Sequence, residues 1–445
     1  MKNKRISIVT AILILQLAFL MTETTKAASG DADPTFGNNG SLMYTNPYTS
    51  GNIYPSYTLV KMAVQSDNKI VVAGSETVVS SGITHDTYLL LKRLNANGSA
   101  DTGFGFLGDS LTFKNADIQV SDVAIQANGN ILVCGSFGYY HRNDSANSFF
   151  VARFFSNGIL DTNFGNGSGF VITDFLDSSS ANAMAIRSDG RIIVVGATYS
   201  VSADSLKFAV ARYYSNGTLD TSFSGNGRVV TGWGENRNTA NSVVLQPNNK
   251  ILVGGTARVN GADSFALVQL NADGTLDNGF GTGGKVSTDI GEAGVIYSLA
   301  LQPDKYTTVN GQKILAVGNI YGDLIALARY NPDGSLDASF GSGGKITTSA
   351  GTTPYRKALS KKGFYQADEK IIVVTANIDI GALFFQKTSV TRFTLSGSLD
   401  ASFGNSGQVV LNYDEGGSIG NIGGGLQSDG KILVNGRDFI ERLLP

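Results

Sequence analysis

The chain consists of short apolar segments separated by polar turns, and the spacing of these segments repeats. Within residues 284–330 four such segments, named strands A to D here, occupy residues 284–288, 296–302, 313–318 and 325–330. Short strands bounded by turn residues indicate antiparallel sheets. Strand C is the most apolar of the four, as in residues 192–195 and 371–374. A continuous apolar run of this length indicates a strand covered on both faces.

A motif of the form Asp-x-x-Phe-(Gly/Ser) marks every repeat. It begins at Asp33, Asp101, Asp161, Asp220, Asp277, Asp337 and Asp400, at intervals of 57 to 68 residues. A unit of this size cannot bury its apolar surface alone and must stack on its neighbours. We predict that each aspartate accepts backbone N–H groups within its own turn. Each phenylalanine is predicted to wedge between adjacent sheets, where truncation to alanine should cost about 3–5 kcal/mol.

The two ends of the repeated region complete each other. The first motif, at Asp33, lacks a preceding strand D, and the last strand D, at residues 439–443, lacks a following motif. An open solenoid would need polar capping repeats instead. We therefore predict an all-β fold for residues 28–445, a closed seven-bladed β-propeller of four-stranded antiparallel blades. Asp-Gly or Asn-Asn between strands B and C predicts two-residue hairpin turns.

The N-terminus has the features of an export signal. Basic residues at positions 2, 4 and 5 precede an apolar stretch (residues 6–21) and then small residues, with cleavage expected after Ala27. An uncleaved N-terminal anchor is the alternative, although the apolar stretch is shorter than the ~20 residues that a span usually needs. We thus expect a signal peptide at residues 1–27 and an exported chain, periplasmic or extracellular, with no membrane span after cleavage.

Composition narrows the classes of partner. The 445 residues include 34 basic and 36 acidic side chains without a basic run, so nucleic acid is not an expected partner. The single cysteine, Cys134, falls within a strand C, which predicts a small buried core residue. With one cysteine no internal disulfide can form, so stability must come from packing. We expect a monomer without a cofactor.

Two segments carry the repeat in its most regular form, Gly-Thr-Leu-Asp-Asn-Gly-Phe-Gly at residues 274–281 and Gly-Ser-Leu-Asp-Ala-Ser-Phe-Gly at residues 334–341. This motif recurs about every 60 residues, together with a second motif, Asp-Gly-Lys-Ile-(Leu/Ile)-Val. Over residues 31–443 the chain resembles the delta-60 repeat family of bacterial proteins. The resemblance implies an exported repeat scaffold and no defined activity. Departures include Ser224 for glycine and Glu369 for the glycine of the sixth B–C turn.

Two motifs with a chemical association are better explained by the repeat. Asn-x-Asp-Gly-x-x-Asp, at residues 271–277 and 331–337, looks like a calcium loop, but other units replace its charges with Asn or Ser, which indicates turn geometry. Gly-Asp-Ser-Leu at residues 108–111 matches an esterase signature, whose serine would need a histidine base. No histidine follows His141, and Ser110 begins a strand A. No catalytic residue is predicted.

The two histidines, His85 and His141, are the only metal-ligand candidates. Both are predicted in long C–D loops, residues 75–87 and 136–148, and each is near an aspartate. Neighbouring blades would bring these loops together, so a zinc-like site is conceivable. Solvated loop histidines are the simpler explanation, and no metal is predicted.

In a propeller the A–B and C–D loops share one face, named the loop face, and the D–A and B–C turns share the other, named the turn face. Non-recurring aromatic residues gather on the loop face, which is typical of recognition surfaces. The ligand-binding candidates are Tyr139, Tyr140, His141, Trp233 and Tyr355. We hypothesise an exported, non-enzymatic scaffold that recognises a protein or carbohydrate through this face. The alternatives are a hydrolase or lyase with a site at the central channel or on the same face, and a structural role at the cell envelope.

Overall fold

A computed structural model of the chain describes residues 27–43, 56–80, 84–105, 110–113, 116–139, 147–175, 177–291, 293–303, 312–320, 324–349, 357–378, 385–416, 422–436 and 439–445. Apart from Ala27, the predicted signal peptide lies outside these residues. The described residues form twenty-eight strands in seven four-stranded antiparallel sheets, without helices. The predicted seven-bladed propeller is confirmed.

The strands follow in chain order. The N-terminal strand β1 is Ser41–Met43, and the first blade holds β2 (Ser56–Val64), β3 (Ile70–Ser80), β4 (Thr84–Leu94) and β5 (Ser110–Phe113). The second holds β6 (Ala116–Ile125), β7 (Ile131–Tyr139), β8 (Asn147–Phe154) and β9 (Phe170–Thr173). The third holds β10 (Ser178–Ile186), β11 (Ile192–Ser200), β12 (Ser205–Tyr213) and β13 (Arg228–Thr231). The fourth holds β14 (Asn238–Leu245), β15 (Ile251–Val259), β16 (Ala262–Leu270) and β17 (Lys285–Thr288). The fifth holds β18 (Val295–Leu301), β19 (Ile314–Ile320), β20 (Leu324–Tyr330) and β21 (Lys345–Ser349). The sixth holds β22 (Lys357–Tyr365), β23 (Ile371–Ile378), β24 (Phe385–Phe393) and β25 (Gln408–Gly416). The last holds β26 (Gly423–Leu426), β27 (Ile432–Asn435) and β28 (Phe439–Leu443).

The last blade joins the two ends of the chain. Strand β1 pairs antiparallel with β28 through Ser41 opposite Glu441 and Leu42 opposite Ile440, so the N-terminal segment supplies the outermost strand. The N–H of Asp33 also donates to the carbonyl of Arg442 at 2.8 Å. Strands B of successive blades contact one another around the whole ring, including β26 with β2. The ring is thus closed within one blade.

The aspartate of every repeat motif closes its own turn and forms an ion pair. In all seven units its Oδ1 atom accepts the backbone N–H two positions on, at 3.0–3.2 Å. In six units its Oδ2 atom lies 2.7–2.9 Å from the Nε atom of an arginine on the adjoining strand D. The exception is Asp277, which contacts Lys250 Nζ at 2.6 Å and faces a strand with Gln269 at the arginine position. The predicted turn role is confirmed.

The motif phenylalanines lie between blades. In six units the guanidinium carbon of the same arginine lies 4.5–4.8 Å from the centre of the phenylalanine ring. On its other side the ring packs on a turn glycine of the following blade. A Cβ atom on Gly217, for example, would lie 2.8 Å from the ring of Phe164, which is fully buried. The predicted wedge is confirmed, and we name this aspartate, arginine and phenylalanine the clasp.

The B–C turns differ from the prediction. The N–H of Gln65 donates to the carbonyl of Lys69, and that of Asn68 to the carbonyl of Gln65, so the hairpin loop has three residues instead of two. Only the third residue has a positive φ, 64° at Asn68 and 66° at Glu369. This geometry is that of a type I turn followed by one residue in the left-handed region. The turn therefore accepts Glu369 at the cost of local backbone strain.

A β-bulge interrupts strand B in six blades at the same place, as the register shifts between Leu59 and Lys61 and between Ala181 and Ala183 illustrate. In five of these blades a glycine of strand C faces the bulge. A Cβ atom on Gly196 would lie 1.9 Å from the carbonyl oxygen of Ser180. The extra residue pushes strand B towards strand C, and glycine leaves space for its carbonyl. The sixth blade keeps the bulge with Thr375 at the facing position.

We expect Gly196→Ala to lower the free energy of unfolding by about 1–3 kcal/mol, because the added methyl overpacks the bulge. Urea denaturation measures the change. The control is Gly103→Ala, a motif position at which other units carry Asn163 or Ser222 and at which the nearest atom would be 3.5 Å from the new Cβ. Equal effects of the two substitutions would contradict this account of the bulge.

Three minor sequence predictions have clear outcomes. Cys134 is fully buried, and burial raises the pKa of its thiol well above the ordinary value, as expected of a core residue. Ser110 is the first residue of β5, as predicted. His85 was predicted in a loop, but β3 and β4 extend further than expected and place it within β4, opposite Val79.

Candidate functional site

The bulges turn strand-B residues towards the axis of the ring. A cavity of 160 Å³ lies there, lined by the innermost strands of all seven blades. Its lining is mainly polar and comprises Lys61, Met62, Ser121, Asp122, Asn182, Ala183, Met184, Asn241, Ser242, Val243, Val244, Tyr297, Ser298, Leu299, Lys362, Gly423 and Gly424. We name this space the central cavity.

Polar side chains of the central cavity join neighbouring blades. The Nδ2 atom of Asn182 donates to the carbonyl of Ala240 at 2.7 Å, and that of Asn241 to the carbonyl of Ile296 at 2.8 Å. The Oδ2 atom of Asp122 accepts the N–H of Met184 at 2.9 Å. These bonds satisfy backbone groups that the bulges leave unpaired, and they hold the cavity wall in place.

Three charged residues line the central cavity: Lys61 of the first blade, Asp122 of the second and Lys362 of the sixth. Burial lowers the pKa of the Lys61 ammonium below its ordinary value. The Asp122 carboxylate opposes this shift and the Lys362 ammonium adds to it. Burial also raises the pKa of Tyr297. The cavity therefore combines a desolvated ammonium, a second ammonium and one carboxylate.

A larger depression lies on the outer rim of the ring. It has a volume of 710 Å³ and is lined by Trp233, Gly279, Gly281, Thr282, Lys285, Val286, Ser287, Asp333, Gly334 and Ser335. These residues come from the A–B loop after the third blade, from the outermost strand β17 of the fourth blade with the turn before it, and from a turn-face loop of the fifth blade. We name it the rim groove.

The Trp233 ring forms one wall of the rim groove. Its edge contacts Phe208, with ring centres 5.5 Å apart, and its backbone N–H donates to Asn238 Oδ1 at 3.2 Å. Lys285 Nζ lies 5.6 Å from the centre of a Trp233 ring and donates to the carbonyl of Gly232 at 2.6 Å. Burial lowers the pKa of Lys285. The indole is thus held between a core residue and an ammonium, with part of its surface facing the groove.

The structure describes only part of the predicted ligand-binding set. Trp233 lies in an A–B loop, as expected, and is half-buried. Tyr139 ends β7, opposite Ala116, and its side chain lies outside the described part of the chain. Tyr140, His141 and Tyr355 lie outside the described residues altogether. Their grouping with Trp233 stays a prediction.

Sequence reasoning missed the charges of the central cavity. Lys61, Asp122 and Lys362 each follow the bulge residue of their own strand B, so they are equivalent positions in three units. The available signal was a charged residue at a position of strand B where other units carry Ala183, Ser242 or Ser298. Because equivalent positions of a closed ring face one axis, aligning the units on strand B would have brought the three together.

The described residues offer neither a cluster of metal ligands nor a membrane-spanning helix. They contain no group of three or more His, Cys, Asp or Glu side chains placed to hold a metal ion. They also contain no helix long and apolar enough to cross a membrane.

Comparison with known proteins agrees with the fold. Residues 65–104, 126–164, 187–223, 246–280 and 313–340 match a family described as "Domain of unknown function (DUF5122) beta-propeller". With the seven-bladed ring, these matches define the class: the chain is a β-propeller repeat protein. It is similar to the DUF5122 family over those five segments. Among curated proteins no significant match is found.

Solved structures are similar in architecture only. A protein of unknown function from Dyadobacter fermentans aligns with a TM-score of 0.46 at 14% identity, covering 79% of this chain and 97% of its own. Sqt1 from Chaetomium thermophilum aligns with a TM-score of 0.43 at 14% identity, covering 92% and 98%. The soluble aldose sugar dehydrogenase of Escherichia coli aligns with a TM-score of 0.35 at 12% identity, covering 73% and 96%. Similarity at this level carries no argument about function.

Proposed function

We propose that the protein is an exported, monomeric binding module and that it takes a glycan in the rim groove beside Trp233. One observation carries the proposal: a fixed indole forms one wall of an open groove of 710 Å³ whose remaining lining is largely small and polar. Pockets for small ligands usually measure about 300–1,000 Å³. The sequence features of the N-terminus support the exported location.

The chemistry of the lining favours carbohydrate over an apolar peptide. An indole offers a flat apolar surface on which the C–H face of a sugar ring can lie. The hydroxyls of Thr282, Ser287 and Ser335 line the same groove. Asp333 Oδ1 is engaged by the N–H of Ser335 at 2.9 Å, so the fifth-blade turn is a rigid wall. A rigid aromatic surface opposite fixed polar groups suits a ligand with alternating apolar and hydroxyl faces.

The position of the groove suits a polymer. It opens to the outside of the ring, so a chain longer than the groove can lie in it with both ends free. The predicted aromatic residues of the neighbouring loop face would extend the contact surface beyond Trp233. A glycan on a surface or in a matrix is therefore the ligand that we expect.

We expect Trp233→Ala to weaken binding of a recognised oligosaccharide at least about tenfold, equivalent to about 1.4 kcal/mol. Isothermal titration with soluble cello-, chito-, malto- and xylo-oligosaccharides measures the change. Because Trp233 packs on Phe208, this variant will also lose stability. Thr282→Val, which keeps the side-chain volume and removes a hydroxyl, is the second variant and should weaken binding at an unchanged melting temperature.

The control is Phe155→Ala, because Phe155 is an aromatic residue on the turn face, 37% exposed and outside the rim groove. Undiminished binding by the Trp233 and Thr282 variants would overturn the rim groove as the site. If Tyr140→Ala and Tyr355→Ala abolished binding in that case, the ligand would belong to the loop face instead.

Catalysis in the central cavity is the second candidate, favoured by Lys61. A buried lysine with a lowered pKa beside a carboxylate is a type of group that serves as a base or nucleophile. The cavity of 160 Å³ holds no oligosaccharide, so a hydrolase or lyase would act on a small substrate. If an activity screen detected turnover and the Lys61→Met variant lost it, catalysis in the central cavity would be favoured over glycan binding.

A further inference from the structure

We infer that the central cavity is a binding site for a small monocarboxylate anion, held by the ammonium groups of Lys61 and Lys362. This site is separate from the rim groove and does not depend on the glycan proposal. It is built from the innermost strands of the first, second and sixth blades, closed by the other four.

The charges of the lining do not balance. Two ammonium groups and one carboxylate leave one positive charge among the described lining residues. Lys61 is half-buried and Lys362 is exposed, and an anion placed between their ammonium groups gains from the excess positive charge. The Asp122 carboxylate offsets only one of the two ammonium charges, and its two oxygens also accept the N–H groups of Val123 and Met184 at 2.9 Å. An anion of single charge completes the site.

The size and polarity of the cavity indicate an organic acid of a few heavy atoms. A volume of 160 Å³ corresponds to about five water molecules, at ~30 Å³ each. Apolar wall is supplied by Met62, Val243 and Leu299, against which a short carbon chain can pack. A divalent metal ion does not suit this lining, since two ammonium groups would repel it.

Binding should depend on pH through Lys61. The titratable groups around it are Asp122 and Lys362, which also line the cavity, Tyr297 across it, and Cys134 behind Asp122 on strand β7. Because burial lowers the pKa of Lys61, its charge is lost at a lower pH than that of an ordinary lysine. Affinity for the anion should fall as pH rises through the pKa of Lys61. A bound anion should in turn raise that pKa.

The test is isothermal titration of the full mature chain with acetate and with lactate, alongside malonate, inorganic phosphate and chloride at matched ionic strength. We expect saturable binding of the two monocarboxylates, weaker binding of the dianions and none of chloride. Lys61→Met and Lys362→Met, which keep most of the side-chain volume, should each weaken acetate binding about tenfold or more. Asp122→Asn, which removes the opposing charge, should strengthen it.

Lys345→Met is the matched control, because Lys345 begins the outermost strand of the fifth blade, away from the axis. It should bind acetate like the unmodified chain. Melting temperatures of all variants separate loss of the site from loss of the fold. Acetate binding that is absent, equal to that of chloride, or unaffected by both Lys61→Met and Lys362→Met would overturn the inference.

Discussion

Replacing Asp220 with alanine should lower the free energy of unfolding by about 3–5 kcal/mol, the usual cost of breaking a buried ion pair from one side. The Asp220 side chain is fully buried, and its Oδ2 atom lies 2.7 Å from Arg212 Nε and 2.9 Å from Arg191 Nε. Its removal leaves the Arg212 guanidinium buried without its carboxylate and releases the Ser222 hydroxyl from its hydrogen bond. Chemical denaturation at neutral pH measures the loss.

The chain contains its own control for this prediction. Asp277 occupies the same motif position, but its side chain is 12% exposed and its ion pair is with Lys250 instead of a buried arginine. Asp277→Ala should therefore cost clearly less than Asp220→Ala. If the two substitutions lowered the free energy of unfolding equally, the ion pair with the buried arginine would add no stability beyond that of the turn.

The clasp also predicts resistance to acid. Burial alone would raise the pKa of Asp337, but hydrogen bonds from Ser339 and Arg329 lower it from 3.8 to about 2. The pKa of Asp400 is likewise about 2, because a hydrogen bond from Ser402 and the positive charge of Arg392 outweigh the effect of burial. A carboxyl group whose pKa is lower in the folded than in the unfolded state stabilises the folded state at pH values above the unfolded-state pKa. That contribution is lost only as pH falls from 3.8 through about 2.

The second large effect is expected at the closure of the ring. Glu441 is 8% exposed on β28, opposite Ser41 of β1, and burial raises its pKa from 4.5 to about 7. Other units carry Ala152 or Ala211 at this position. When the pKa of a carboxyl group is higher in the folded state, its contribution to stability is fully present below pH 4.5. That contribution is lost as pH rises from 4.5 to about 7. Glu441→Gln should therefore raise the free energy of unfolding above pH 7 by roughly 3 kcal/mol.

The measurement is the melting temperature and denaturant midpoint of both chains between mildly acidic and mildly alkaline pH. The unmodified chain should lose stability across the window from 4.5 to about 7, and Glu441→Gln should show a smaller slope there. Glu235→Gln, at a half-exposed loop position, is the matched control; it removes a 3.8 Å ion pair with Arg258 and should change stability by less than about 1 kcal/mol. Parallel pH curves for the unmodified chain and Glu441→Gln would show that Glu441 does not titrate in this window.

The sequence predicted those features of the fold that recur in every unit. The interval between motifs indicated seven stacked blades, and the incomplete ends at Asp33 and at residues 439–443 indicated closure. The wedge role of the phenylalanines followed from their recurrence at apolar positions. Each of these depends on residues that lie close together in the chain, or on the period alone, so local patterns were sufficient.

The central cavity was not predicted, because it depends on pairing between residues that are distant in sequence. The bulge at Asn182 is accommodated by Gly196 of the next strand, which leaves space for the carbonyl of Ser180. The direction of Lys61 and Lys362 then follows from the bulge and from closure of the ring. The rim groove was half predicted: Trp233 was recognised on its loop, whereas Lys285 and Asp333 come from later blades and reach it only through stacking.

The pairing of β1 with β28 has a consequence for how the chain assembles. Ser41 and Glu441 are 400 positions apart, so β1 is synthesised long before its partner β28. Until β28 has been made, β1 is unpaired, and an unpaired strand can pair with a strand of another molecule. A three-residue strand is a weak target for such exchange. The shortness of β1 therefore limits strand exchange between nascent chains.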